Sequence, residues 1–191
     1  MENKKKYITN GWLAVVIVAL ILIVDQIIKI EVKTNMTLGE AIRITDWFYI
    51  EFIENNGMAY GMTFFNKLVL SLFRTFAIGA ITWYIWRVVK TGIFSRGYVV
   101  CLAMILAGAA GNLIDCLFYG LIFDASTPFS VADFVPFGTG YSTVLHGKVV
   151  DMFYFPIIRT TYPDWVPMVG GDDFVFFSPI FNFADSCISV G

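Results

Sequence analysis

Charge is scarce in this chain. Asp, Glu, Lys and Arg make up 15% of its 191 residues, where a soluble domain carries about 25%. The 13 basic residues are outnumbered by 15 acidic ones and form no patch interleaved with aromatics, which excludes a nucleic-acid partner. Histidine is represented only by His146. One imidazole without further ligands makes no zinc site, and no nucleophile elbow accompanies it to build a Ser-His-Asp arrangement. Cysteine is nearly as rare. Cys101, Cys116 and Cys187 are odd in number, widely spaced and set in apolar segments, which is neither a zinc pattern nor a disulfide framework. Gly108-Ala109-Ala110-Gly111 is no phosphate loop; small residues in an apolar helix permit close helix packing.

What the chain has instead is apolar length. Hydrophobic residues reach 58% and the mean hydropathy is +0.72. Four apolar segments stand out, at Gly11–Ile30, about Leu68–Trp86, about Tyr98–Phe123, and from Phe176 to Gly191. About 20 residues cross a bilayer core as helix, so the first three qualify and the fourth falls short. The first follows MENKKKY and runs on without a small-residue cleavage site, as a retained helix does. The expectation is an all-α membrane protein with a four-helix transmembrane core, its fourth helix cut short. It forms one integral membrane domain over residues 1–191. Phe48–Phe52, aromatic and β-branched before the turn-like Asn55-Asn56-Gly57, predicts a strand in a small extracytoplasmic β-containing segment.

Basic residues set the orientation. Lys4, Lys5 and Lys6 precede the first helix, and Arg87, Lys90 and Arg96 flank the link between the second and third. The positive-inside rule places both regions in the cytoplasm, so segments 31–67 and 124–175 face out. Asp25, Lys29, Arg74, Asp115 and Asp185 lie within apolar segments, where each charge costs a few kcal/mol at the bilayer centre. Counted at about 1.5 Å per residue, all fall in the outer half of the membrane. Independent snorkelling charges would not share a level; one outward-opening polar site would. Lys29 is expected to snorkel to the interface, and Arg74 to pair with Asp115 or Asp25.

Two acidic positions have informative surroundings: Asp151 in Gly147-Lys148-Val149-Val150-Asp151, and Asp185 in Phe181-Asn182-Phe183-Ala184-Asp185. Paired carboxylates in a low dielectric share a proton, because like charges that close do not both ionise cheaply. One then serves as base toward water and the other as acid. This chemistry asks for no metal, cofactor, serine or cysteine.

Five blocks in order carry a resemblance. They are Asp25-Gln26 with Lys29, Asn55-Asn56-Gly57-Met58-Ala59-Tyr60, Gly111-Asn112-Leu113-Ile114-Asp115, Val149-Val150-Asp151, and Phe181-Asn182-Phe183-Ala184-Asp185. Each is weak alone. Together they resemble the D-Q-x-x-K, N-x-G-A-A-F, G-N-L-I-D, V-V-D-F and F-N-x-A-D blocks of the lipoprotein signal peptidase (signal peptidase II) family. The resemblance implies a membrane aspartyl endopeptidase of the bacterial cytoplasmic (inner) membrane, its site toward the outer face. Such an enzyme cleaves diacylglyceryl-modified prolipoproteins just before the lipidated cysteine, with membrane lipids as its surroundings. By it, Asp151 and Asp185 are the catalytic dyad, Asn112 and Asn182 orient the carboxylates or hold substrate, Asn55 sits beside the substrate, and Asp25 and Asp115 support the site.

Three departures stand out. Cys116 replaces the arginine that often follows G-N-L-I-D. Met58 and Tyr60 replace the usual Ala and Phe. The stretch between Asp115 and Asp151 is long, with an inserted extracytoplasmic loop at 124–147 whose Asp124 and Asp133 are expected to be solvated. Two other classes compete. A small proton-coupled transporter also carries intramembrane carboxylates, but no inverted repeat is visible. A non-catalytic membrane binding protein would not need Asp151 and Asp185 within reach of one water.

Overall fold

The computed structural model describes residues 2–55 and 67–191. Three of its helices are long and apolar enough to cross a membrane. Helix α1 spans Glu2–Asn35, α2 Lys67–Thr91 and α3 Arg96–Ile114. The last continues through a π-helical turn, Asp115–Tyr119, into the short α4, Gly120–Ile122. The β-branched run in α1 is no strand because a spanning segment must satisfy its backbone internally. Threonine hydroxyls follow the same rule, Thr75 donating to the Ser71 carbonyl at 2.9 Å and Thr82 to Ile78 at 2.7 Å. Ser95 caps α3, accepting from the Tyr98 amide at 3.2 Å.

Ala14, Ile85, Val88, Val89, Val99 and Ala103 form the buried seam of the three helices. Leu20, Ile23, Phe73 and Phe76 point outward and are exposed, an apolar surface suited to lipid. The glycines of the small-residue run do what close packing requires. A Cβ on Gly108 would collide with the Ala184 carbonyl oxygen, and one on Gly111 would lie 2.6 Å from Asp25 Oδ2.

The β component is larger than one expected strand. Strands β1 (Ala41–Thr45), β2 (Phe48–Asn55), β3 (Val149–Tyr154) and β6 (Ile180–Phe181) form an antiparallel sheet in the order β1-β2-β3-β6. Strands β4 (Ile158–Thr161) and β5 (Asp173–Phe176) make a separate hairpin. In β2–β3 the register puts Ile53 opposite Asp151, Glu54 opposite Val150 and Asn55 opposite Val149. Side chains alternate across a strand, so Asn55 and Asp151 share one face while Glu54 and Val150 share the other. That second face packs Phe52, Val150 and Met152 onto Val32, Met36 and Tyr119.

The fourth apolar segment is not helical from Phe176. Phe177 takes φ 64°, a left-handed conformation uncommon for a bulky residue, and β6 follows. Only Phe183–Val190, helix α5, is helical. Segment 124–147 is well tied down. Leu38 N donates to the Thr127 carbonyl, Tyr141 N to Phe123 and Gly147 N to Cys116, each at 3.0 Å. Asp124 and Asp133 are exposed as expected.

Candidate active site

Asp151 sits in mid-β3 and is buried. The β3–β6 pairing, Phe153 opposite Phe181, delivers the next residue, Asn182, beside it. Asn182 Nδ2 donates to Asp151 Oδ1 at 2.6 Å. The same asparagine is the N-cap of α5 in a capping box. Its Oδ1 accepts from the Asp185 amide at 2.9 Å, and its own amide donates to Asp185 Oδ2 at 3.2 Å. One residue therefore grips both carboxylates. Asn112, from α3, donates to Asp185 Oδ1 at 2.8 Å. Asn55, from β2, donates to Asp151 Oδ2 at 3.0 Å.

Beneath the pair lies a second layer. Lys29 is fully buried and directs its ammonium to Asp25 Oδ2 at 3.0 Å, Asp115 Oδ2 at 2.8 Å and Asn112 Oδ1 at 2.9 Å, matching its three N–H donors. Asn112 Oδ1 also accepts from Asn182 Nδ2 at 3.1 Å, which connects the two layers. Asp25 Oδ1 accepts from the Ala184 amide at 3.0 Å, fixing the first turn of α5 to α1. Gln26 Nε2 reaches Asp115 Oδ1 at 2.9 Å and Asp25 Oδ2 at 3.1 Å, and Tyr119 donates to Gln26 Oε1 at 3.1 Å. Asp25, Asn55, Asn112, Asp115, Asp151, Asn182 and Asp185 thus belong to one continuous polar network.

Burial, and then the neighbouring Asp185 charge, push the Asp151 carboxyl up to about 7 against the opposing hydrogen bonds from Asn55 and Asn182. A carboxyl so placed holds its proton near neutrality and can act as an acid.

Two expectations are corrected. Lys29 does not snorkel, because two carboxylates and an amide oxygen offset its desolvation inside. Arg74 does not take Asp25 or Asp115, both of which pair with Lys29; its Nη1 lies 3.6 Å from Cys116 Sγ. Asn56 to Tyr60, with Met58 and Tyr60, lie outside the described residues. Sequence reasoning missed the roles of Gln26 and Tyr119. It also missed a second buried cluster, Lys33, Glu54, Ser126 and Lys148, behind the sheet. The Asn-x-x-Asp spacing at 182–185 was a usable signal, since it is a capping-box pattern.

Apolar membrane-length helices and a gripped pair of carboxylates define a membrane enzyme of the aspartic type. The family model described as signal peptidase (SPase) II matches residues 17–191. A lipoprotein signal peptidase of Porphyromonas gingivalis is 48% identical over 182 residues, covering 95% of this chain and 80% of that one. One from Amoebophilus asiaticus is 35% identical over 181 residues, covering 92% and 72%. Two solved structures, described as bacterial membrane enzymes determined by the in meso method, share the fold. One has a TM-score of 0.62 at 22% identity, covering 93% of this chain and 80% of that one. The other has a TM-score of 0.60 at 23% identity, covering 93% and 85%. The chain belongs to the signal peptidase II family.

Proposed function

We propose that this protein removes signal peptides from diacylglyceryl-modified prolipoproteins, cutting before the lipidated cysteine, with Asp151 and Asp185 as its catalytic pair. The observation that carries the assignment is Asn182, which bonds Asp151 through its side chain and Asp185 through both its backbone amide and its side-chain oxygen. A water held between the carboxylates gives its proton to Asp185 as it attacks the scissile carbonyl. Asp151, protonated near neutrality, donates to the developing oxyanion. The C–N bond of the resulting diol then breaks as Asp185 passes its proton to the departing amine and a diol hydroxyl returns one to Asp151, which restores both carboxyls. Asn112, Asn182 and Asn55 hold the two carboxylates in register. Asp25 and Asp115, bridged by Lys29, hold α5 and, through that lysine, Asn112 in place.

The basic residues at Lys4–Lys6 and Arg87–Arg96 support a cytoplasmic placement of those ends. The sheet, segment 124–147 and the carboxylates then face outward at the bacterial inner membrane. In this reading α5 is the fourth member of a helical core, packed on α3 through Gly108 and Gly111, and the whole chain acts as one membrane-embedded unit among lipids, with no nucleic-acid partner.

The test is cleavage of a synthetic diacylglyceryl-prolipopeptide by the purified protein. Asp151→Asn and Asp185→Asn should each lower turnover by about 10²–10⁴-fold while leaving thermal unfolding in detergent near the parent's. Near-normal turnover by either variant rejects the assignment.

A further inference from the structure

Behind the sheet, on the face opposite Asp151, a second set of charges is buried. Glu54 is 2% exposed and takes two lysines. Lys33, from the last turns of α1, meets its Oε1 at 2.6 Å, and Lys148, just before β3, meets its Oε2 at 2.8 Å. Ser126 accepts from Lys33 Nζ at 2.8 Å and donates to Glu54 Oε1 at 3.0 Å. Tyr141 closes the group. Its hydroxyl accepts from the Lys148 amide at 2.7 Å, and its ring lies under Lys33 Nζ at 5.1 Å and Lys148 Nζ at 5.7 Å. Burial alone would raise the Glu54 carboxyl, but Lys33 and Lys148 outweigh it and hold it below its ordinary value.

The cluster has a specific place in the ladder. Glu54 immediately precedes Asn55, whose side chain bonds Asp151. Lys148 immediately precedes Val149, the residue opposite Asn55. The ladder slips between Ile50 and Ile53, so a bulge lies on one side of the Asn55–Asp151 contact. The Glu54–Lys148 bridge crosses the two strands on the other side. Ser126 and Tyr141 both belong to segment 124–147. Their bonds make that segment the outer wall of the cluster.

We infer that Lys33, Glu54 and Lys148, walled by Ser126 and Tyr141 of segment 124–147, form a positioning device that sets Asn55 against Asp151 from the reverse face of the sheet. The inference rests on Asp151 being one of the catalytic pair. None of these residues touches the reacting atoms; they act by fixing the last rungs of β2–β3. Losing the clamp lets Asn55 drift from Asp151. The carboxyl then loses a bond that favours its ionised form, and the acid is misplaced for catalysis.

A double-mutant cycle with Asn55→Ala is the test, read on lipidated peptide. Glu54→Gln should lower kcat by about tenfold with KM within about twofold. It should move the alkaline limb of the pH–rate profile upward, as Asn55→Ala does. The charged groups facing Asp151, Asp185 from α5 and Lys29 from α1, stay unchanged in both variants. The double variant should be no slower than Asn55→Ala alone. Because Glu54→Gln leaves Lys33 buried without its full counter-charge, Lys148→Met, at a half-exposed position, runs beside it. It should lower kcat about threefold and should also fail to add to Asn55→Ala. If Glu54→Gln does not fold, the Lys148→Met cycle decides. Effects that add to Asn55→Ala, or an unmoved pH limb, overturn the inference. If Asp151→Asn retains turnover, the catalytic assignment fails instead, and the two failures are told apart.

Discussion

Two lysines one helical turn apart on α1 sit in opposite electrostatic settings. Lys29 is a cation between two anions, Asp25 and Asp115. Lys33 helps surround a single anion, Glu54, with Lys148 on the other side. The first cluster is fully buried and ties α1 to α3 and α5. The second ties α1 to the sheet and keeps a half-exposed member in Lys148, 39% exposed against 0% for Lys29. Both satisfy the rule that buried charge must be paired. They differ in what fails when a partner goes. In the first, every member is beyond the reach of rescue by water. In the second, solvent can replace one lysine.

The largest contrast should come from removing each outer partner's cation. Lys29→Met leaves two buried carboxylates with no counter-charge and should destabilise by about 3–5 kcal/mol, measured as a fall in thermal or denaturant midpoint in detergent. Lys148→Met should cost under about 1 kcal/mol, as exposed pairs do. Equal losses would erase the distinction between the clusters.

A smaller effect sharpens it from the side of the chemistry. In its proposed role Asp151 must carry a proton, and burial pushes its carboxyl up to about 7, so cleavage should fall as pH rises through that value. Asn55→Ala removes a donor that favours the ionised carboxylate and should move this alkaline limb to higher pH, even as the maximal rate drops. A downward shift would show that Asn55 acts on some other group.

The smallest expected effect is none. Among the described residues no three His, Cys, Asp or Glu side chains gather as metal ligands, and the space between Asp25 and Asp115 is already taken by the Lys29 ammonium. Cleavage should be unchanged in EDTA. Loss of activity restored by added zinc or another metal ion would show that one of the clusters is a metal site and that its lysine pairing is secondary.

The two clusters were also unequally legible in the sequence. Asp25, Asp115 and Asp185 stood in apolar surroundings, where a charge demands a reason, and the spans set their common depth, while Asn112 and Asn182 came only with the family resemblance. Glu54, Lys33 and Lys148 lay in or beside segments already counted as loop, where charge is ordinary. Nothing local announced that a strand would bury them. Lys29 was misjudged because its partner Asp115 lies far along the chain, and one helix end looks like any other to a snorkelling argument. The apolar run at 176–181 fits a helix or a buried strand equally well by composition. The pairing of β6 with β3 decided between them, and that is a tertiary fact. The extent of the β structure was hidden for the same reason, since β6 and the strands of the separate β4–β5 hairpin are short and irregularly spaced.

One consequence of the capping box on α5 concerns biogenesis. Asn182 and Asp185 start that helix with the same bonds that align Asp185 beside Asp151. The first turn of α5 and the alignment of the proposed catalytic pair are therefore one event, anchored by Asp25 at the Ala184 amide. A nascent chain whose first three helices have already entered the bilayer has no assembled protease. Its proposed catalytic pair comes into line only once the segment carrying α5 docks against Asp25 and Asn112.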